Sequence, residues 1–375
     1  MNKTDAPRTR VALLFGGRSG EHSISCLTAG SILEAIDRRR FEPVPVGITR
    51  EGRWTLAPDC ASDLTMIDGR LPEVTAEGPE VLAPAQAGSS EWRLLDHGGQ
   101  VRSLGVIDVA FPLLHGPFGE DGTIQGLLEL TDQRYVGAGV LASAVGQDKG
   151  YMKCVFESHG LPVQPYAVIT PRQWASDRRA ALDRGLALGL PLFVKPCRAG
   201  SSLGISRVGA AQDLEPAIEA ARLHDPRVLV EKAAEGREIE CAVLGSRGGR
   251  PPRASLPSEI VVQGGHEFYD FDAKYLDAAG AELRCPAELP PSAIGAIQAM
   301  AVAAFDTIGA EGLSRVDFFY DESGREPLVI NEINTLPGFT PISQYPRMWL
   351  ASGLSYADLI SELIELALDR PTGLR

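Results

Sequence analysis

At 375 residues the chain is too long for one ordinary hydrophobic core and long enough for two or three. A hydrophobic share of 44% with 23% charged residues is that of a folded globular protein and excludes overall disorder. The formal net charge of -13 repels polyanions, which argues against nucleic acid and anionic membranes as partners and requires a local cluster of cations wherever phosphate is bound. The six cysteines are scattered without a C-x-x-C pair and read as reduced thiols. Met1–Arg10 is short and polar, and no run of 18 apolar residues occurs, so a cytoplasmic protein without signal peptide or membrane span is expected.

Arg10–Phe15 is a short apolar run ending in Gly16-Gly17, the pattern of a buried strand entering a tight turn. Cys26, Ala29, Leu33 and Ile36 follow at steps of three and four and predict a helix with one apolar face. A second apolar run, Val106–Leu114, ends at His115-Gly116 and precedes a helix-compatible stretch, Ile124–Leu130. Strand, helix, strand, helix implies an α/β unit whose functional loops lie beyond the strand ends. Residues 57–105, rich in Ala, Pro, Gly, Ser and acids, predict surface loops and short strands. From Asp148 the pattern predicts a helix Lys149–Ser158, a helix Arg172–Leu188, a strand Leu192–Lys195, a helix containing Ala217–Ala221, and a strand Val228–Lys232. The last part is expected to hold strands around Ile239–Leu244, a helix Ala293–Ile308, a hairpin Arg315–Asn334 and a final helix Tyr356–Leu368. The expected domains are 1–140, 141–232 and 233–375.

The stretch KPCRAGSSLGIS, residues 195–206, has the ingredients of a phosphate loop in the wrong order for a Walker motif, because Lys195 precedes the glycines. It reads either as a glycine-rich hairpin connection or as a flap whose amides and hydroxyls fold over a triphosphate, with Lys195 as a point charge. In the hairpin, RVDFFYDESGREPLVINEIN, strand alternation places Arg315, Asp317 and Phe319 on one face, and Leu328, Ile330, Glu332 and Asn334 on one face of the returning strand. A turn centred on Gly324-Arg325 sets Asp317 opposite Glu332. Two carboxylates and an amide oxygen are hard donors suited to Mg²⁺, whereas zinc would want His or Cys, which the hairpin lacks. A solvated strand face with a surface ion pair is the competing reading. The apolar residues on both runs weigh against it, since they predict a buried sheet where unpaired acids are costly.

LHGPFGEDGTIQG, residues 114–126, sets His115, Glu120 and Asp121 in a glycine-punctuated loop directly after a strand, as for close backbone approach to a ligand. FGGRSGEHSIS, residues 15–25, lacks the dinucleotide glycine spacing, which argues against a nicotinamide site. Glu21, near the helix start, is read as a ligand group or as an acid favourable to the helix dipole. EFYDFDAKYLD, residues 267–277, is read as a lid ordering over ligand or as an exposed loop packing its own aromatics.

Taken with EGREIE and NEINTLPGFTPIS, these motifs resemble, in order, the D-alanine-D-alanine ligases of the ATP-grasp superfamily, from about residue 10 to 365. The resemblance implies a three-domain ATP-grasp fold of the α/β class: an N-terminal α/β domain, a small central α+β domain and a larger C-terminal α+β domain, with ATP gripped between the last two. It implies Lys149 and Lys195 on the ATP phosphates, Glu231, Lys232 and Ala234 at the adenine pocket, Glu238 on the ribose and Lys274 at the terminal phosphate. Asp317, Glu332 and Asn334 match ligands for two Mg²⁺ ions, with Mn²⁺ as a substitute. Glu21 would take the ammonium of the first D-alanine, with His115 on the same substrate, and Ser201 and Tyr275 would form a network with Glu21. Arg315 and the amide of Gly338 would stabilise the oxyanion, and Ser343 would hold the carboxylate of the second D-alanine.

The implied reaction makes D-alanyl-D-alanine for peptidoglycan through a D-alanyl phosphate. An intact Lys274-Tyr275 pair favours an amine nucleophile, while Phe271 stands where the family often has tyrosine and points to altered lid ordering. A homodimer through the N-terminal domain and sensitivity to D-cycloserine are further implications. A ligase preferring D-serine or D-lactate, and a nucleotide-binding regulator without turnover, stay open at this point.

Overall fold

The computed structural model describes residues 7–200, 203–262, 281–324 and 327–372, and among these the strands form three sheets. The first is built on β1 (Thr9–Gly16), the apolar run read from sequence, which lies parallel to β2 (Phe41–Ile48). Four short antiparallel strands follow: β3 (Trp54–Leu56), β4 (Glu80–Leu82), β5 (Glu91–Leu95) and β6 (Val101–Val106). With β7 (Val109–Pro112), parallel to β1, the sheet order is β6-β5-β4-β3-β2-β1-β7. Residues 57–105 therefore extend the sheet as well as forming loops, and they bury Trp92, Val81 and Leu94. The long run Val106–Leu114 is interrupted. Val106 ends β6 and is 52% exposed, and the Asp108 carboxylate accepts from the Arg10 amide before β7 begins.

The sheet is covered on both faces. Val11, Leu13 and Phe15 pack on α1 (His22–Ala35), while Ala12 and Leu14 share a cluster with Ile124 and Leu128 of α2 (Thr123–Leu130). Burial on both sides explains why β1 reads as a continuous apolar run rather than an alternating one. At its end Gly16 has φ +87°, and a Cβ there would lie 2.4 Å from the Ile48 carbonyl oxygen, so the turn towards α1 admits only glycine.

Beyond α3 (Val140–Gln147), which no sequence pattern announced, α4 (Lys149–Ser158) starts where expected. Asp148 caps it, accepting from the amides of Gly150 and Tyr151. The second sheet is wholly antiparallel: β8 (Tyr166–Ile169), β9 (Leu192–Pro196), β10 (Ser206–Val208) and β11 (Val228–Lys232), in the order β10-β9-β11-β8. The single helix expected over 172–188 is two, α5 (Pro171–Ser176) and α6 (Arg178–Leu186). Asp177 breaks the run because its carboxylate bonds the Ala180 amide and starts a new helix. α7 (Leu214–Arg222) covers one face of this sheet.

The third sheet comprises β12 (Arg237–Leu244), β13 (Arg253–Ala254), β14 (Ser258–Val262), β15 (Ala281–Arg284), β16 (Leu313–Tyr320) and β17 (Leu328–Asn334). Its order is β15-β14-β12-β16-β17, with β13 on β12. Ile239, Cys241, Val316 and Phe318 face α8 (Pro291–Thr307), and Met152 and Phe156 of α4 join the same core. Two helices close the chain, α9 (Gln344–Ala351) and α10 (Tyr356–Asp369). Their Tyr345, Met348, Leu359 and Leu363 pack with Ala242 and Leu244 of β12 and with Leu13 and Phe111 of the first sheet. The first and third sheets thus share one core, and Arg370 locks the junction by donating to the Gly137 carbonyl at 2.8 Å and stacking on Tyr135.

Candidate active site

Asp317 lies opposite Glu332, as the turn argument expected, and Arg315 opposite Asn334. The route differs from the one foreseen. Phe318 pairs with Ile330 while Asp317 pairs with Glu332, so Asn331 is an extra residue, a β-bulge that restores the pair. The bulge also breaks the predicted alternation. Ile330 is fully buried with Val316 and Phe318, whereas Asn331, Glu332 and Asn334 are only partly buried.

On the other side of β16, Glu240 of β12 is in register with Asp317. Three carboxylates, Glu240, Asp317 and Glu332, therefore stand in one row across adjacent strands, an arrangement that is destabilising unless cations intervene. The Arg315 guanidinium bonds both Asp317 oxygens at 2.7 Å, and its Nε lies 3.1 Å from Glu240 Oε1. Asn334 donates to Asp317 Oδ2 at 3.0 Å, and Lys149 Nζ lies 3.3 Å from Glu332. Burial alone would weaken the charge of Arg315, but Asp317 and then Glu240 hold its pKa well above the usual value. Sequence reading missed Glu240. The signal was the spacing Glu238-x-Glu240 in EGREIE, which puts both side chains on one face of a strand.

Among the described residues no group of three His, Cys, Asp or Glu side chains is placed to hold a metal. Two carboxylates and the Asn334 amide suit Mg²⁺, which keeps water and phosphate oxygens as its other ligands. Hard oxygen donors on two paired strands fit that ion, with Arg315 and Lys149 neutralising the acids.

Facing this row is a buried lysine pair. Lys195, at the end of β9, lies 2.5 Å from Glu231 Oε1 and donates to Asn331 Oδ1 at 3.3 Å. Lys153 Nζ lies 3.0 Å from Glu231 Oε2. Burial would raise the Glu231 pKa, yet the two lysines bring it down to about 2. The lysines themselves diverge. Burial dominates at Lys153 and lowers its pKa, whereas at Lys195 burial is outweighed by Glu231, with Glu332 and Glu238 behind it, and the pKa rises. The Glu231 side chain, expected at the adenine pocket, is thus turned to the lysines. Lys153 was also missed, although it stands four residues after Lys149 on the same helical face.

Lys232 Nζ donates to the carbonyls of Gly189 at 3.0 Å and Leu190 at 2.7 Å, and Ala234 follows β11, partly buried. Glu238 sits on β12 in register with Phe319. Lys149 also donates to the Ala199 carbonyl at 2.9 Å, tying the start of the glycine-serine loop to the acidic row.

The third cluster joins loops after β1 and β7. Glu21 occupies the N-cap position of α1 but makes no capping bond with its side chain. Its carboxylate lies against two glycines: a Cβ on Gly116 would sit 2.8 Å from Oε2, and one on Gly200 3.7 Å from it. Three motifs far apart in sequence therefore meet at this carboxylate. His115 Nδ1 lies 3.8 Å from Glu120 Oε1, and its Nε2 is 3.4 Å from the Thr28 hydroxyl. Asp121 has a local role, accepting from the amides of Phe118 and Thr123. Beyond β17, a Cβ on Gly338 would lie 3.1 Å from Ser343 Oγ, which accepts from the Thr340 amide and occupies the N-cap position of α9. Ser201, Phe271, Lys274 and Tyr275 lie outside the described residues.

Burial opposes charge on His115, but Glu120 and then Glu21 raise its pKa above the ordinary imidazole value of 6.5. Burial raises Glu120 as well, with His115 opposing and Glu21 reinforcing. Raised groups bind protons more tightly in the folded state. The His115 contribution is therefore complete below the pH where free imidazole titrates and is lost as pH rises through its folded value. His115→Gln should remove that dependence. The gap in melting temperature between wild type and variant is expected to narrow from about pH 6 to about pH 9, and a constant gap would refute the assignment.

Three sheets of this arrangement, with Lys195 of the second sheet and Lys149 of α4 set beside the acids of the third, define the ATP-grasp class. The chain belongs to the D-alanine-D-alanine ligase family: the family model for the D-ala D-ala ligase N-terminus matches residues 10–138, and that for the C-terminus residues 155–365. A D-alanine--D-alanine ligase of Pseudarthrobacter chlorophenolicus is 56% identical over 371 residues, covering 98% of this chain and 96% of the relative. The solved D-alanine-D-alanine ligase from Coxiella burnetii superimposes with a TM-score of 0.80 at 34% identity, covering 97% of this chain and 95% of that one. The VanG D-Ala:D-Ser ligase from Enterococcus faecalis gives 0.82 at 33% identity, covering 96% of this chain and 100% of that one.

Proposed function

We propose that the chain is an ATP-dependent ligase that joins two D-alanine molecules into D-alanyl-D-alanine for peptidoglycan synthesis, releasing ADP and phosphate. The observation that carries this reading is the position of Lys149. Its amino group touches Glu332 and the Ala199 carbonyl, and the next residue, Gly200, abuts Glu21. One cation thus links the acidic row, the phosphate loop and the first amino-acid pocket.

A carboxylate is a poor electrophile, so ATP first converts that of the first D-alanine to an acyl phosphate. In this reading Glu21 takes the substrate ammonium and His115 lies beside it. Lys149 and Lys195 hold phosphate oxygens, Lys232, Ala234 and the backbone of Glu231 border the adenine, and Glu238 the ribose. Asp317, Glu332 and Asn334 hold Mg²⁺, two ions in the family pattern, and Mn²⁺ can replace it. The metal offsets charge on the phosphoryl group when bound. Ser343 holds the second carboxylate, and the free amine attacks. Arg315 and the Gly338 amide then meet the tetrahedral oxyanion as preorganised donors. Ser201, Lys274 and Tyr275 keep the roles that the resemblance implies, in a loop and lid that exclude water from the acyl phosphate.

The division into 1–140, 141–232 and 233–375 fits this scheme, with ATP between the second and third parts. We assign the reaction to the cytoplasm, where ATP is available and the six free thiols remain reduced; no described helix is long and apolar enough to cross a membrane. A homodimer through the N-terminal part is supported by exposed Leu127 and Leu130 on α2, with Val140 and Leu141 at the start of α3. D-Cycloserine, a D-alanine analogue, would compete at the amino-acid pockets.

The test is a product assay with ATP, Mg²⁺ and D-alanine, D-serine and D-lactate in competition. D-Alanyl-D-alanine is expected to dominate at neutral pH. Absence of phosphate release above background would remove the ligase reading, and a mixed product with D-serine would change the second substrate.

A further inference from the structure

We infer that Glu240 is a positioning residue that takes over the Arg315 guanidinium when Asp317 turns to a metal ion, so that metal loading and the placement of Arg315 are linked. The inference rests on the proposed metal role of Asp317. Both Asp317 oxygens are engaged by Arg315 at 2.7 Å, and Asn334 adds a third bond. Three of the carboxylate's roughly four acceptor sites are taken, so a divalent cation on it sits beside the Arg315 guanidinium and repels it, which loosens that grip. The displaced guanidinium cannot simply be left without a partner, because a buried charge that loses its counter-ion is strongly destabilising.

Glu240 is the neighbouring acid in reach. Its carboxylate already lies 3.1 Å from Arg315 Nε, and the side chain is 5% exposed. β12 is paired on both sides, with β14 and β16, so the backbone that carries Glu240 is fixed in the middle of the sheet. A small rotation of the guanidinium towards Glu240 exchanges a two-bond grip on Asp317 for one on Glu240. The charge stays partnered throughout and Asp317 becomes available. By linkage, the metal then favours the Glu240-held position of Arg315, and that position favours the metal.

The experiment measures Mn²⁺ binding to the full-length protein in the presence of ADP, by the electron paramagnetic resonance signal of free Mn²⁺, with no turnover involved. Glu240→Gln is expected to weaken Mn²⁺ binding about tenfold, the scale of groups that orient metal ligands, with the melting temperature close to wild type. Glu240→Asp keeps the charge but shortens the reach and should weaken binding in the same direction; it carries the test if the Gln variant does not fold. Wild-type binding in Glu240→Gln would overturn the handover. So would wild-type binding in Glu240→Asp beside weak binding in Glu240→Gln, which would assign the effect to charge alone. A wild type that binds no Mn²⁺ with ADP would instead sink the metal reading itself, and the handover with it.

Discussion

Exchanging Arg315 for lysine is expected to lower D-alanine turnover by about 10²–10³-fold, the loss seen when an oxyanion donor is removed. Affinity for ATP should change little. Lysine retains the positive charge between Asp317 and Glu240, so the acidic row keeps a counter-ion and the fold should hold. What is lost is the planar fork that bonds both Asp317 oxygens while its Nε reaches Glu240. An ammonium is a point charge and cannot present two parallel donors in a set direction. Steady-state kinetics beside a melting curve would decide. A kcat close to wild type would show that charge alone suffices at this position and that the fork has no part in turnover.

The second large effect is expected at Glu231. Glu231→Gln leaves Lys153 and Lys195 facing each other in a water-poor site with no carboxylate between them, a loss of about 3–5 kcal/mol by analogy with broken buried pairs. The pH dependence supplies the sign. In the wild type the Glu231 pKa is lowered to about 2, so its contribution is present above the value of a free carboxyl, 4.5, and disappears as pH falls towards 2. In the variant the lysines are the buried groups left to titrate. Lys153, already lowered by burial, should shed its proton more readily, so variant stability should rise with pH above neutrality. Urea denaturation at several pH values would measure both. A difference from wild type that stays constant down to about pH 2 would refute the role assigned to the triad.

Much of the site was legible because strand and helix periodicities carry chemistry with them. Asp317, Glu332 and Asn334 were placed on neighbouring strands by the turn signals between the two apolar runs together with alternation, and Lys195 by the apolar run that precedes it. The facing of β17 was misjudged at Ile330 because a bulge adds a residue without any mark in composition; Asn331 is an ordinary strand residue in the sequence. Glu240 and Lys153 escaped notice for a related reason. Each lies on the correct face of its element, but its importance comes from a partner supplied elsewhere, Arg315 for one and Glu231 for the other. The split at Asp177 shows a local competition, between side-chain capping and helix continuation, that a helical hydrophobic pattern does not register.

Local pattern was sufficient for β1, α1 and α4 and for the hairpin of β16 and β17, because each depends on backbone geometry or periodicity within about twenty residues. Seven motifs in family order carried the class of reaction as well. Tertiary packing settled three things that no window could contain. It brought Glu21, at the start of α1, against Gly116 and Gly200 from two other loops, since only the closing of three chain segments defines that space. It merged the first and third sheets into one core through α9 and α10, because their apolar faces pack against residues of both sheets at once. And it decided which charge neutralises which: in a buried cleft an ion pair depends on distances of a few ångströms between strands, and those follow from register rather than from composition.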